Sequence, residues 1–398
     1  MNRHDPKLAA MWARHSAEWR DSSQICSQWR EAEETDPRLL EYTVSKNWWG
    51  ILGELGITLL VTREYEHLAM ALSAVEGRAR VSFFPVPHPS GLTVDRAAKR
   101  VMLASTRNPN QIYTFRPAGT ALERDDIAAP TVAEGGLLAP VSSMFFPGSL
   151  YIHDLATIGS RVFANAVGHN AVVRIEPDGS YERVWWPKSI EQNGRPVFGR
   201  NYLQLNSIAA GRTLRTSYFT ASSPAIGRYV PGQLKYPVDG KGVIFSGRTR
   251  EPFCTGLTRP HSARLKNGKV WVDNSGYGEL GFARDGRFEV VARLPGWTRG
   301  LCIVDDIAFV GTSRIIPRFA AYAPGLNASD SRCAVHAVCC KTGKLQGSLE
   351  WPAGNQIFAI DWIASDVSTG FPFDARSRKR KRELAFFYTY AAQENGKK

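Results

Sequence analysis

The sequence predicts an all-β fold, a six-bladed β-propeller with an N-terminal helical appendage. Three observations predict it. A phrase of one variable, usually polar residue, one small residue, one aliphatic residue and then an apolar strand occurs six times: Ser90-Gly91-Leu92, His153-Asp154-Leu155, Asn206-Ser207-Ile208, His261-Ser262-Ala263, Arg299-Gly300-Leu301 and Phe358-Ala359-Ile360. The copies start 63, 53, 55, 38 and 59 residues apart, enough in each case for one four-stranded sheet, and such recurrence is the signature of propeller blades. Beyond Trp48-Trp49-Gly50 the chain breaks into short β-rich runs punctuated by Gly, Pro, Asn and Asp.

Taken in order, residues 7 to about 45 read as helix, because Leu8, Met11, Trp12, His15 and Trp19 recur at three- and four-residue steps. The domain boundary is therefore expected at residue 46, with the propeller over 47–398. Thr58–Thr62 and the segment after it, near 57–74, are expected to supply outer strands to the last blade and so close the ring. Each phrase then opens an innermost strand. Second strands are expected at Val101–Ser105, Val162–Ala166, Thr216–Thr220, Val270–Asn274, Ile307–Gly311 and Leu384–Tyr388, and third strands are clearest near 168–175 and 276–283. Pro177-Asp178-Gly179 and Arg284-Asp285-Gly286 fit hairpin turns between third and fourth strands, where Asp-Gly supplies the positive φ angles a tight turn needs.

Bulk properties bound the function. With 398 residues, 43% hydrophobic and 22% charged, the composition is that of a folded globular chain, and no window approaches the ~18 apolar residues of a membrane span. No secretory signal is evident at the start, so a cytoplasmic location is expected and no membrane partner. The six cysteines show no framework spacing and are expected reduced, Cys339 and Cys340 within a buried strand. The net charge of +13 raises nucleic acid as a partner. Residues 1–45 are slightly acidic, however, and six of the positive charges fall in the run Arg376, Arg378, Lys379, Arg380, Lys381 and Arg382. That run fits a solvated loop better than a recognition module, which leaves polyanion binding through 376–382 as a secondary reading. The helical appendage is the expected place for a protein partner.

If the phrases open the innermost strands, their first residues meet around the channel as a ring of Ser90, His153, Asn206, His261, Arg299 and Phe358. The residues two positions earlier (His88, Tyr151, Gln204, Arg259, Trp297 and Gln356) are expected to point the same way by strand alternation. Loops after the second strands rim the same mouth and carry His169 and Asn170, Tyr277 and Glu279, and Arg314. The expected site is thus a channel-mouth pocket for a small polar, anionic or carbohydrate-like molecule. Arg299 would clamp an anion through paired donors. His153 and His261 would act in acid–base chemistry of a hydrolase, lyase or isomerase kind. Asn206, His88, His169, Asn170, Arg259, Trp297, Tyr277, Glu279 and Arg314 would contact the ligand. His153, Asn206 and His261 together also suit a divalent metal cofactor of the Zn²⁺, Mn²⁺ or Fe²⁺ type. The competing readings are a non-catalytic binding or scaffold propeller and a ring that only holds buried water. Ser262 beside His261 is set aside as a nucleophile, since neighbouring strand residues face opposite sides.

The segments Leu257–Arg264, Val270–Gly281, Ile152–Ala156, Leu205–Ser207, Leu294–Leu301 and Phe309–Ser313 resemble an uncharacterised bacterial family of conserved hypothetical proteins over roughly residues 50 to 365. The resemblance implies a six-bladed propeller and no particular activity. That family tends to place histidine where Gln204 stands and an acidic residue near Gln356, so a metal site implied by the family is weakened in this chain. In fold alone the chain is similar to the gluconolactonase, regucalcin and strictosidine synthase propellers, whose carboxylate and asparagine metal ligands it does not reproduce.

Overall fold

The computed structural model describes residues 35–106, 110–118, 136–233 and 235–376, with isolated residues between 6 and 13. Six antiparallel sheets stand around a central channel in chain order. Their innermost strands are Pro89–Asp95, Ile152–Ile158, Leu205–Ala209, Pro260–Lys266, Trp297–Val304 and Ile360–Ala364, so each of the six phrases does open a blade, numbered 1 to 6 here. Blade 6 is closed from both ends of the chain: Ile360–Ala364 pairs with Ile57–Arg63, which leads outward to Leu68–Val75 and Arg78–Pro85. This is the expected closure, with one correction. The place beside the innermost strand, expected for Leu384–Tyr388, is filled by Ile57–Arg63; Leu384–Tyr388 lies outside the described residues.

The appendage is corrected too. Pro37–Leu40 forms a single 3₁₀ turn capped by Asp36, and Thr43–Lys46 is a strand that adds a fifth position to blade 5 by pairing with Leu345–Glu350. The α-helix Trp48–Glu54 wedges Trp48 edge-on against Phe309 at 5.9 Å and closes the core between blades 5 and 6. Most of the helix expected over 7–45 lies outside the described residues. The Asp285-Gly286 turn has both residues at positive φ (51° and 78°), as its sequence predicts. Cys254, Cys302 and Cys333 are buried, whereas Cys339 ends its strand and, with Cys340, is half-buried, so the expectation of a buried pair is corrected. Among the described residues no helix is long and apolar enough to cross a membrane.

The blade faces are apolar because they pack on each other. Trp185 of blade 2 packs on Phe219 of blade 3, with ring centroids 4.0 Å apart and tilted by 31°, and both are nearly inaccessible to solvent. Burying each such ring stabilises by about 1.5–3 kcal/mol.

The phrase itself now has a physical explanation. In blades 1 to 5 the pairing between the innermost and second strands slips at the phrase, a β-bulge that brings the backbones of neighbouring blades together at the axis. The small second residue stitches that seam. Asp154 accepts the amide of Ile208 (3.0 Å), Ser207 that of Ala263 (2.8 Å) and Ser262 that of Gly300 (2.7 Å). Thr62 closes the ring by accepting the Ala359 amide and donating to the Ser90 carbonyl. Where no side chain bridges, none fits: a Cβ on Gly91 would lie 2.5 Å from the Asp154 Cα. The third, aliphatic residues are buried between sheets.

Candidate functional site

At the mouth where the innermost strands begin there is a cavity of about 360 Å³. Its floor is the ring. His153, Asn206, His261 and Arg299 line it, and Phe358 plugs the channel axis beneath them. The Arg299 guanidinium lies 3.4 Å above the Phe358 ring, and both imidazoles meet that ring edge-on at 5.2 and 5.6 Å. Ser90 does not reach the cavity; its hydroxyl is spent on the carbonyls of Ala104 and Ile152.

Of the residues two positions before the ring, Tyr151, Gln204, Arg259 and Trp297 line the cavity, whereas His88 and Gln356 do not, and the first three arrive by a different route. Tyr151, Gln204 and Arg259 have φ of 51°, 50° and 56°, and His88 has 41°. Each blade from 1 to 4 therefore enters its innermost strand through a left-handed kink that costs a bulky residue of order 1 kcal/mol. The kink, rather than strand alternation, aims Tyr151, Gln204 and Arg259 into the cavity. Arg259 donates to Gln204 Oε1 and lies 4.2 Å over the Tyr322 ring.

Arg299 holds the centre. Its Nε donates to His261 Nε2 at 3.1 Å, and the Gln356 amide, oriented with its oxygen inward, accepts from Nη1 while donating to Glu64 Oε2 at 3.1 Å. No carboxylate forms an ion pair with Arg299 among the described residues; Glu64 is the acidic group whose charge it feels most. Burial lowers its pKa to about 10 against the pull of Glu64.

An arginine donates and does not accept, so His261 Nε2 must be bare and its proton must sit on Nδ1, donating to Ser262 Oγ at 2.8 Å. The ring is thus fixed as a neutral tautomer. Desolvation holds its pKa well below the ordinary imidazole value, and the Arg299 charge adds to this. His153 is likewise pushed well down by desolvation and then by Arg299 and Arg259. It differs in bonding, because its Nδ1 is buried without a hydrogen-bond partner. Asn206 donates to Ser222 Oγ and to the Pro260 carbonyl, leaving its buried Oδ1 without one.

This arrangement does not fit the expected metal set of His153, Asn206 and His261. Both nitrogens of His261 are engaged, two guanidiniums share the cavity, and no cluster of three His, Cys, Asp or Glu side chains able to hold a metal occurs among the described residues. Metal ligation would have to break the Arg299–His261 bond and place a cation beside two others. His261 is also corrected as an acid–base group, since its tautomer is locked. The dismissal of Ser262 by alternation is overturned as well. Ser262 has φ of 57° at the bulge and bonds directly to His261, though as a buried acceptor rather than a nucleophile.

Of the other expected contacts, Trp297 and Arg259 line the cavity and six residues do not. His88 is buried beside His67, whose Nδ1 accepts the His88 amide at 3.1 Å. His169 accepts from Arg183, and Asn170, left-handed at φ 54°, ties down Arg200, Tyr202 and Leu203. Tyr277 is hydrogen-bonded to Asp239, Glu279 pairs with Arg293 and Asn274, and Arg314 is spent on three backbone carbonyls. Polar groups at blade junctions are claimed by the loops that cross them. Missed by sequence reasoning are Glu64, Tyr65, Asn201, Phe319 and Tyr322. Tyr65 stacks on Phe319 at 6.1 Å, and Phe319 packs on Trp297 at 4.8 Å, giving the cavity an aromatic wall. Glu64 and Tyr65 sit in the loop after the second strand of blade 6. That loop rims the mouth by the same rule that selected the others, once Ile57–Arg63 is recognised as that strand. Of the basic run, only Arg376 is described; its backbone amide donates to Asp374 and its guanidinium lies 5.3 Å from the Tyr42 ring centroid.

No curated protein matches the chain. Among solved structures, a chain of a nidogen/laminin complex superposes with a TM-score of 0.51 at 11% identity, covering 78% of this chain and 99% of that one, which is a likeness of fold. A protein of unknown function from Bacteroides caccae (TM-score 0.49, 11% identity, 77% and 98% covered) and a gluconolactonase of Xanthomonas campestris (0.43, 12%, 75% and 86%) are more distant. Residues 46–369 match the family described as Domain of unknown function (DUF4915), and the chain belongs to that family.

Proposed function

We propose that the cavity at the ring mouth binds a small anionic, carbohydrate-like molecule, with Arg299 as the clamp for its carboxylate or similar oxyanion. The observation that carries this reading is a guanidinium only 5% exposed, with no ion pair among the described residues, at the floor of an open cavity. A buried guanidinium with no direct ion pair is costly, Glu64 being linked to it only through Gln356, and a ligand anion would offset that cost. The neutral His261 points Arg299 upward, and Arg259 adds a second positive charge to the mouth. Asn201, Gln204 and Asn206 offer polar groups to hydroxyls, while Trp297, Tyr65 and Phe319 offer ring faces to the apolar side of a sugar. If the site is catalytic, His153 is the acid–base group of a hydrolase, lyase or isomerase reaction, being the cavity imidazole whose nitrogens are not locked in place.

A thermal-shift and calorimetric screen of sugar acids and their lactones tests the reading. Wild-type protein should bind at least one sugar acid, and His153→Asn should retain binding while losing any lactone turnover. Turnover unaffected in His153→Asn would remove the catalytic assignment; no binding of any acid would remove the site.

A further inference from the structure

The opposite end of the channel, where the innermost strands finish, holds a second cavity of about 370 Å³. Arg264 lies at its base in an unusual state of half-engagement. Its Nη1 donates to Asp154 Oδ2 at 3.2 Å and to the Ala263 carbonyl at 2.8 Å. Asp154 is itself pinned by the amides of Leu155 and Ile208. Nε and Nη2 of Arg264 make no hydrogen bond among the described residues, and these two form the edge with which a guanidinium grips an oxyanion through parallel bonds. The side chain is 22% exposed, so that edge is accessible.

The surroundings favour an anion. Lys266, two residues along the same strand, and Arg96 line the cavity with Arg264. The acidic group there, Asp361, accepts from the amides of Val94 and Trp362 and from Arg96, which also stacks on Trp362 at 4.1 Å. Arg96, Arg264 and Lys266 outnumber this one largely engaged carboxylate in the lining, so the cavity is net positive. We infer that this far mouth is a second ligand site, taking the carboxylate or phosphate of a small molecule on the free edge of Arg264. The inference does not rest on the proposal for the ring mouth, which lies beyond Phe358.

Isothermal titration of the full chain carrying Arg299→Gln, which weakens the ring mouth, tests it with inorganic phosphate and with succinate as probes. One equivalent of at least one probe should bind; phosphate alone would identify the ligand group as phosphate, succinate alone as carboxylate. Arg264→Lys keeps the charge facing Asp154 but loses the paired edge, and should weaken binding at least tenfold. Ala210→Trp fills the same cavity without touching the Arg264–Asp154 pair, and should abolish it. Binding of neither probe, or equal binding in Ala210→Trp and its parent, overturns the inference and leaves the ring-mouth reading untouched.

Discussion

At the residue scale, Ser262 shows where pattern reasoning reaches and where it stops. Its place in the phrase is legible from sequence, and so is its neighbour His261. The contact between them is not, because the bulge gives Ser262 a φ of 57° and defeats alternation. Since its oxygen accepts from both His261 and the Gly300 amide, Ser262→Ala should destabilise by about 1–3 kcal/mol in urea unfolding, the cost of leaving two buried donors unpaired. The buried titratable groups predict a pH profile of stability. His153 and His261 have folded pKa values well below the unfolded value of about 6.5, so between the two the unfolded chain binds more protons, and their contribution is lost as pH falls below about 6.5. Asp273 is opposite in sign. Desolvation raises its carboxyl well above normal, so the folded state holds a proton that the unfolded state sheds above about 3.9, and stability is lost as pH rises through that window. Asp273→Asn should therefore stabilise more at pH 8 than at pH 4.5; equal effects at the two values would remove the assignment.

Among elements, the blade strands were legible because each buries apolar residues between Gly- and Asp-rich turns, and five of the six expected second strands are present. The sixth failed for a topological reason. A propeller closes by borrowing strands from the other end of the chain, and local pattern cannot say which of two apolar runs, Ile57–Arg63 or Leu384–Tyr388, sits beside Ile360–Ala364. That error hid Glu64 and Tyr65. The loops beyond second strands were over-credited: Asn170, Glu279 and Arg314 have side chains that bond blade junctions, which a list of polar residues cannot distinguish from ligand contacts. The seam between innermost strands gives the prediction at this scale. Gly91→Val would push side-chain atoms into the backbone of Asp154 and should cost more than about 3 kcal/mol, or prevent folding, whereas Gly268→Ala, in an open hairpin turn, should cost about 1 kcal/mol. Circular dichroism melts of the two variants separate these outcomes.

The whole molecule is a closed ring in which charge is distributed around one channel with two mouths. Six blades and their order follow from the recurring phrase; the identity of the ligand does not, because it depends on which donors remain unspent after the fold has used the rest. At the ring mouth Arg299, with Nε and Nη1 engaged by His261 and Gln356, keeps Nη2 and a charge that no ion pair meets among the described residues, and the functional account stands on it. Calorimetric titration of wild type and Arg299→Gln with a sugar acid selected by the screen tests this most directly. The account predicts that Arg299→Gln binds at least tenfold more weakly, with its melting temperature preserved or raised because a buried charge without a direct ion pair has been removed. Equal affinity in the two proteins would contradict it.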